Sequence, residues 1–329
     1  MTIVVLGAGI VGLTTAVVLA EQGSPVLVLA ADLPDETTSA VAGAIWGPYR
    51  VGPPDRVAAW GGVGLTALGA LARQAGSGVR MGVGTEAATY SADPPWWSRL
   101  LPQWRLCEPH ELPMGTVTGW RYCAPLIDMP THLTYLAGRL TAANGRLQRM
   151  AVSDLDDVPE ATVVVNCTGL GAGSLVGDPT LRPVRGQHVV VGNPGLREFL
   201  MVDVGPSNRL VGIFPHGDRV VLGGTAIEGV DDRSIDTDAA DEIVERCGRY
   251  FPALTSAPVL AHLVGVRPVR PTVRLEAQRL ESGRWCVHNY GHGGAGVSLA
   301  WGCAYEVARL VRDLETYRNA SYGGSRSRG

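Results

Sequence analysis

Six residues near the N-terminus, Gly7-Ala8-Gly9-Ile10-Val11-Gly12, have the types and spacing that hold a pyrophosphate. In such a motif the first glycine permits a tight turn after a strand. The second lets backbone approach the phosphates, and the third lets the following helix pack close to the strand. The free N–H groups and positive dipole end of the helix then face the anion. The motif carries weight only between a strand and a helix. Here the apolar run Thr2–Leu6 precedes it and Leu13–Glu21, helical in composition, follows as far as Gly23. With the second apolar run Pro25–Ala30 this predicts one βαβ unit of about 30 residues. Such units end their second strand on an acidic residue that takes a ribose hydroxyl, and Asp32 stands 20 residues beyond Gly12. Thr37, Thr38 and Ser39 follow as three adjacent hydroxyls, suited to capping a helix or to bonding phosphate.

A second glycine-rich loop lies near the other end of the chain. His288-Asn289-Tyr290-Gly291-His292-Gly293-Gly294-Ala295-Gly296 follows the strand-like Trp285–Val287 and precedes a helix expected over about Ser298–Glu315. Two glycine-lined helix starts suit a dinucleotide, which has both a pyrophosphate and a reactive ring. A helix start aimed at a flavin pyrimidine stabilises negative charge on the reduced ring, whereas a nicotinamide loses charge on reduction. The pair therefore favours FAD over NAD.

The elements that must position these loops divide the chain. Its 329 residues suit about two domains at roughly 150 residues each. Ala161–Asn166 reads as a strand that returns to the nucleotide-binding sheet at Asn166-Cys167-Thr168-Gly169. From about Gly47 to Leu136 the periodicity is poor and tryptophan and tyrosine accumulate, as in a second domain inserted into the first. Val189–Val191, Arg209–Phe214 and Arg219–Leu222 read as antiparallel strands. The expected architecture is α/β. A discontinuous Rossmann-like domain (1–46, 137–180, 285–329) binds the dinucleotide, and a mostly antiparallel-sheet substrate domain (47–136, 181–284) covers it.

Composition excludes several classes. All 28 basic residues are arginine, so Schiff-base lysine chemistry and a Walker P-loop are out. A net charge of −3 without a basic stripe argues against a nucleic-acid partner. No run of about 18 apolar residues occurs, so no membrane span is expected. The N-terminal run has no basic residue before Arg50 and is cut by glycines, unlike a secretory signal. The six cysteines show no paired metal spacing, and no metal is expected; they read as reduced thiols of a cytoplasmic protein.

Gly7–Gly12, Trp46-Gly47-Pro48-Tyr49, Asn166-Cys167-Thr168-Gly169, Arg185-Gly186-Gln187, Leu222-Gly223-Gly224, Gly265–Pro271 and His288–Gly296 together resemble the FAD-dependent D-amino-acid oxidase family, in the family's order over nearly the whole chain. The resemblance implies oxidative deamination of neutral D-amino acids by hydride transfer to flavin N5. Imine hydrolysis then gives a 2-oxo acid and ammonia, and dioxygen reoxidises the flavin to give hydrogen peroxide. It implies that Arg267 grips the substrate carboxylate, a task suited to the planar guanidinium fork. The Gly294 carbonyl accepts from the substrate amine, and Tyr49, Asn208 and Gly212 line the site. The cofactor residues it implies are Gly7, Ala8, Gly9, Ile10, Val11, Gly12, Thr37, Thr38, Ala44, Ile45, Val152, Thr168, Gly169, Gly293, Gly294, Ala295, Gly296, Val297 and Ser298, with Asp32 as the ribose candidate. No side chain is required as acid or base. Asn208, Gly212, Ala226 and Ala295 stand where family members carry tyrosines, so bulk is expected to be missing there, with Trp46, Tyr49 and Phe214 as the apolar lining. The departures keep D-aspartate, glycine and sarcosine oxidases, a biosynthetic amine oxidase of the same family and a flavin-binding sensor as alternatives. The oligomeric state stays open, a homodimer included.

Overall fold

The computed structural model describes residues 2–49, 51–158, 161–205 and 209–323. Ile3–Leu6 is buried at every residue, as a central parallel strand covered on both faces must be. It pairs in parallel with Val26–Ala30 on one side and Val163–Asn166 on the other. Arg146–Arg149 and Trp285–His292 extend this wing to five parallel strands. Helix Ile10–Glu21, buried along most of its length, packs against the wing and against the helices Met129–Ala142 and Gly296–Gly323. The last helix thus starts before and runs past the span expected from composition.

Glycines inside helices cost up to about 1 kcal/mol each relative to alanine, and here they are used for contact. A Cβ on Gly64 would lie 2.0 Å from the Ser298 carbonyl oxygen, and one on Gly302 would lie 2.4 Å from Trp60 backbone. Helix Pro54–Leu71 and the last helix therefore meet backbone to backbone.

The sheet continues beyond the wing through Val259–Arg279. The C-terminal part of this strand pairs with Trp285–His292 and its N-terminal part with Arg182–Gly192, both antiparallel. Arg219–Thr225, Arg209–His216, Phe199–Asp203, Val79–Ala88, Thr118–Ile127 and Arg105–Leu106 follow in that order. Only the Val79–Ala88 to Phe199–Asp203 pairing in this series is parallel. Fourteen strands of the described residues form this one sheet. Helix Thr237–Gly248, capped by Asp236 accepting from the Ala239 N–H, covers one face of the antiparallel part over Val189, Ile213 and Leu222. Because successive strand residues point to opposite faces, Gly212 and Phe214 turn the other way, toward the parallel wing. The site lies in that gap. No described helix is long and apolar enough to cross a membrane.

Candidate active site

One cavity of about 1740 Å³ runs from the first glycine turn to the inner face of the antiparallel sheet. That exceeds the roughly 300–1,000 Å³ of a usual single-ligand site and has room for a dinucleotide and a small substrate together. At its nucleotide end, Gly7 has φ +101°, and a Cβ there would lie 2.5 Å from the Cys167 carbonyl oxygen. A Cβ on Gly12 would lie 2.0 Å from the Gly7 carbonyl oxygen. Only hydrogen fits at either position.

The three hydroxyls do separate jobs. Ser39 accepts from the Ile10 N–H at 3.0 Å and so caps the helix of the glycine turn, 29 residues back in the chain. Thr38 accepts from the Val266 N–H at 3.3 Å, while Thr37 donates to the Pro34 carbonyl. The loop thereby ties the glycine turn to the strand that carries Arg267. Asp32 borders the cavity, half-buried, with Arg233 at 3.3 Å. Thr168 donates from both N–H and Oγ1 to Asn166 Oδ1, and Gly169 turns the chain away at φ +59°.

Gly7–Val11, Asp32, Thr37, Thr38, Ala44, Ile45, Val152, Thr168, Gly169, Gly293, Gly294, Gly296 and Val297 all border this cavity, together with Tyr49, Gly212 and Arg267. Gly12, Ala295 and Ser298 lie behind its surface, where the Ser298 hydroxyl accepts from the Gly47 N–H at 2.9 Å. Asn208 lies outside the described residues.

At the other end Arg267 pairs in register with Val184, close to where its strand passes from one neighbour to the other. Its guanidinium lies across Gly186: a Cβ there would meet Nη1 at 2.3 Å. Nη1 donates to the Thr225 carbonyl at 3.2 Å. Alternation turns the flanking Arg185 and Gln187 to the far face, where they hold the carbonyls of Ser234 and Asp236. The Arg-Gly-Gln motif is thus a slot for a guanidinium with locks on the opposite side. His188 returns to the cavity side, 3.1 Å from the Val41 carbonyl. Burial, and then the Arg267 charge, push its pKa down to about 4, so it is neutral at pH 7 and adds no charge beside Arg267.

The glycines at this end are filled by neighbouring rings. A Cβ on Gly294 would lie 2.5 Å from the Tyr49 ring. One on Gly212 would lie 2.7 Å from the Phe214 ring, which also covers Gly43. The space expected at Gly212 is therefore occupied by Phe214. Ala226 borders the cavity, whereas Trp46 is sealed in the core with its indole N–H on the Gly61 carbonyl.

The sequence reading did not single out Glu86. It borders the cavity, and its Oε2 accepts from the Tyr122 hydroxyl at 2.7 Å and the Trp120 indole at 3.2 Å. Burial raises its pKa, against those two hydrogen bonds. Nothing in Gly84-Thr85-Glu86 marks it locally; its role depends on strand neighbours distant in sequence. Among the described residues no group of three or more His, Cys, Asp or Glu is placed to hold a metal.

Comparison with known proteins bears on what this cavity holds. The model of a family described as FAD dependent oxidoreductase matches residues 2–310. A D-amino-acid oxidase of Rubrobacter xylanophilus is 46% identical over 310 residues, covering 94% of this chain and 95% of that protein. A D-amino-acid oxidase of Streptomyces coelicolor is 48% identical over 312 residues, covering 94% and 96%. Among solved structures, glycine oxidase from Geobacillus kaustophilus superposes with a TM-score of 0.80 over 94% of each chain at 20% identity, a likeness of fold.

Proposed function

Because the chain belongs to the FAD dependent oxidoreductase family, we propose that it is a D-amino-acid oxidase acting on neutral D-amino acids. The reaction converts a D-amino acid, dioxygen and water into a 2-oxo acid, ammonia and hydrogen peroxide. The observation that carries the reading is a guanidinium held over Gly186 in the same cavity as the Gly7–Gly12 turn. Carboxylate recognition and pyrophosphate recognition then share one space.

The residues present fit FAD. The glycine turn has room only for hydrogen at Gly7 and Gly12, and Gly7–Val11, which lead into the helix Ile10–Glu21, border the cavity where the pyrophosphate would lie. In this reading Gly7–Gly12 and Thr37–Thr38 hold the phosphates, Asp32 and Val152 the ribose and adenine, and Thr168–Gly169 with Gly293–Ser298 the ring. The five parallel strands all fall within 1–46, 137–180 and 285–329, which supports assigning those ranges to the FAD-binding domain and 47–136 with 181–284 to the substrate domain.

FAD, when bound, would supply the two-electron acceptor for the α-hydrogen and the route of those electrons to dioxygen. Arg267 fixes the substrate carboxylate, and the Gly294 carbonyl accepts from the free amine. Tyr49 and Phe214 exclude water from the side chain. His188 is uncharged and needs no proton in the step. The protein's contribution is orientation. Water then hydrolyses the released imino acid. Burying a branched aliphatic side chain contributes roughly 1.5–3 kcal/mol, whereas an unpaired carboxylate is costly to bury. The six cysteines, all unpaired, support a cytoplasmic location. A homodimer belongs to the same proposal and is tested by sedimentation.

The test is peroxide release from D-valine, D-methionine, D-alanine, glycine and D-aspartate, with L-enantiomers as controls. Highest kcat/KM on the neutral branched substrates is expected. Preference for D-aspartate or glycine would overturn the substrate class and leave the flavin oxidase standing.

A further inference from the structure

We propose that Arg233 is a cofactor residue: its guanidinium pairs with the FAD pyrophosphate and closes the nucleotide end of the cavity across Asp32. The inference rests on the FAD reading above and gives the cofactor a cation that the glycine turn and the hydroxyl loop lack.

Arg233 lies between strand Ile227–Glu228 and helix Thr237–Gly248. Asp32 is 201 residues away in the chain, yet Arg233 Nη1 lies 3.3 Å from Asp32 Oδ2, and both residues border the cavity. Among the described residues this guanidinium makes no other hydrogen bond or ion pair. Most of the donors of its fork therefore stay open.

The loop that carries it is fastened on either side. Arg185 donates to the Ser234 carbonyl at 2.6 Å. Gln187 donates to the Asp236 carbonyl at 2.6 Å and accepts from the Asp236 N–H at 3.0 Å. Asp232 accepts from the Ser234 N–H at 2.8 Å and also from its hydroxyl. Arg185 and Gln187 are buried, and they flank Gly186, the residue beneath the Arg267 guanidinium. One Arg-Gly-Gln segment thus seats Arg267 on one face and anchors the loop of Arg233 on the other.

Arg233 and Arg267 are the two arginines that border the cavity among the described residues, and the chain has no lysine. Arg267 stands at the substrate end. At the nucleotide end a diphosphate brings negative charge to Gly7–Val11, none of which ionises, with the Asp32 carboxylate beyond. Neutral donors there are already in use. The Ile10 N–H donates to Ser39 and the Thr37 hydroxyl to the Pro34 carbonyl. A guanidinium beside Asp32 offsets that carboxylate and keeps donors for a phosphate, whose oxygens it matches in bidentate geometry. Arg149 also lies near Asp32, but it is held by Glu36 at 2.7 Å and does not border the cavity. An exposed ion pair contributes little by itself, so an Arg233 that served only as a surface partner of Asp32 would leave flavin binding unchanged when removed.

The measurement is the rate of FAD release from the holoenzyme, followed by recovery of flavin fluorescence on dilution. Wild type is compared with Arg233→Gln, Asp32→Asn and the double variant. Arg233→Gln is expected to release FAD at least about 10-fold faster, and a folded variant that retains no FAD is the same result at its extreme. An acceleration of like size is expected when Arg233→Gln is added to Asp32→Asn, because the arginine acts on the phosphate and not through the carboxylate. Release within about 2-fold of wild type overturns the proposal. So does an Arg233→Gln effect that vanishes in the Asp32→Asn background, which would make the arginine a prop for Asp32. Arg149→Gln controls for loss of charge near the site; it is expected to stay within about 2-fold of wild type, and equal acceleration there overturns the assignment to Arg233. Should Arg233→Gln fail to fold, Arg233→Lys keeps the charge and loses the fork. It is expected to release FAD at least about 3-fold faster, and a wild-type rate overturns the proposal. A wild type that binds no FAD would instead overturn the FAD reading, and this inference with it.

Discussion

At the glycine turn the cavity is bordered by five consecutive residues, Gly7–Val11. At the Arg267 end it is bordered by residues from segments far apart in the sequence: Tyr49, Glu86, Phe214 and Arg267. The nucleotide end is closed to variation because a Cβ would strike a carbonyl oxygen. At the substrate end a side chain can take that place, as the Phe214 ring does over Gly212. A chain built this way can keep its cofactor chemistry while its side-chain preference drifts. The Thr38–Ser39 loop is the physical link between the two ends, bonded to Ile10 on one side and Val266 on the other.

The comparison breaks first at Gly12. Gly12→Ala puts a Cβ 2.0 Å from a backbone oxygen, which side-chain adjustment does not relieve. The variant is expected to purify without yellow colour, holding less than about a tenth of the wild-type flavin by absorbance, while Gly212 at the substrate end is expected to tolerate alanine better. Gly212→Ala, facing only the movable Phe214 ring, is the paired control.

Acid tests both ends together. His188 and His216 on the substrate side, and His288 and His292 on the strand leading to the second glycine loop, all have pKa values pushed down to about 4, chiefly by burial. Between about pH 6.5 and pH 4 the unfolded chain therefore binds protons that the folded chain refuses. The stabilisation is complete above pH 6.5 and is lost as pH falls through 4. Thermal unfolding followed at pH 7.5, 6 and 5 is expected to show a progressive drop in Tm of several degrees or more. A Tm that stays level or rises toward pH 5 would contradict these burials.

Phe214→Ala is expected to act at the substrate end alone. Removing the ring that fills the space over Gly212 should raise kcat/KM for D-phenylalanine relative to D-valine by roughly 10-fold, the scale on which pockets discriminate by small changes in apolar size. Flavin content should stay unchanged. The smallest effect belongs to Ser39→Ala. Losing a helix cap costs about 1 kcal/mol, so FAD affinity is expected to weaken by roughly fivefold, measured by titration of the apoprotein, with the ratio of D-valine to D-phenylalanine turnover unmoved.

The same contrast explains what was legible in the sequence. A strand, a glycine turn and a helix are local, so Gly7–Gly12 and the wing strand Ile3–Leu6 could be read from residue types and spacing alone. Tyr49 and Arg267 were reached through resemblance, because nothing within ten residues of Arg267 announces Gly186 as the surface beneath it. Glu86 escaped both routes: it belongs to no motif, and its meaning comes from Trp120, Met201 and Tyr122 assembling around it. Ser39 reads, with Thr37 and Thr38, as a helix cap or a phosphate partner; the helix it caps lies earlier in the chain, a pairing only tertiary structure supplies. Phe214 was expected in the lining; its position over Gly212 was not, since the sequence says where a glycine is but not which neighbour fills the space.

The most direct test of the account is anaerobic mixing of the FAD-loaded enzyme with D-valine or L-valine, following loss of flavin absorbance in wild type and Arg267→Ala. D-Valine is expected to bleach the wild type while L-valine does not. Arg267→Ala, still yellow, should fall by about 100- to 5,000-fold in second-order bleaching rate, from the roughly 3–5 kcal/mol lost when one partner of a buried charge pair is removed. Bleaching by L-valine alone, or an Arg267→Ala enzyme as fast as wild type, would contradict it.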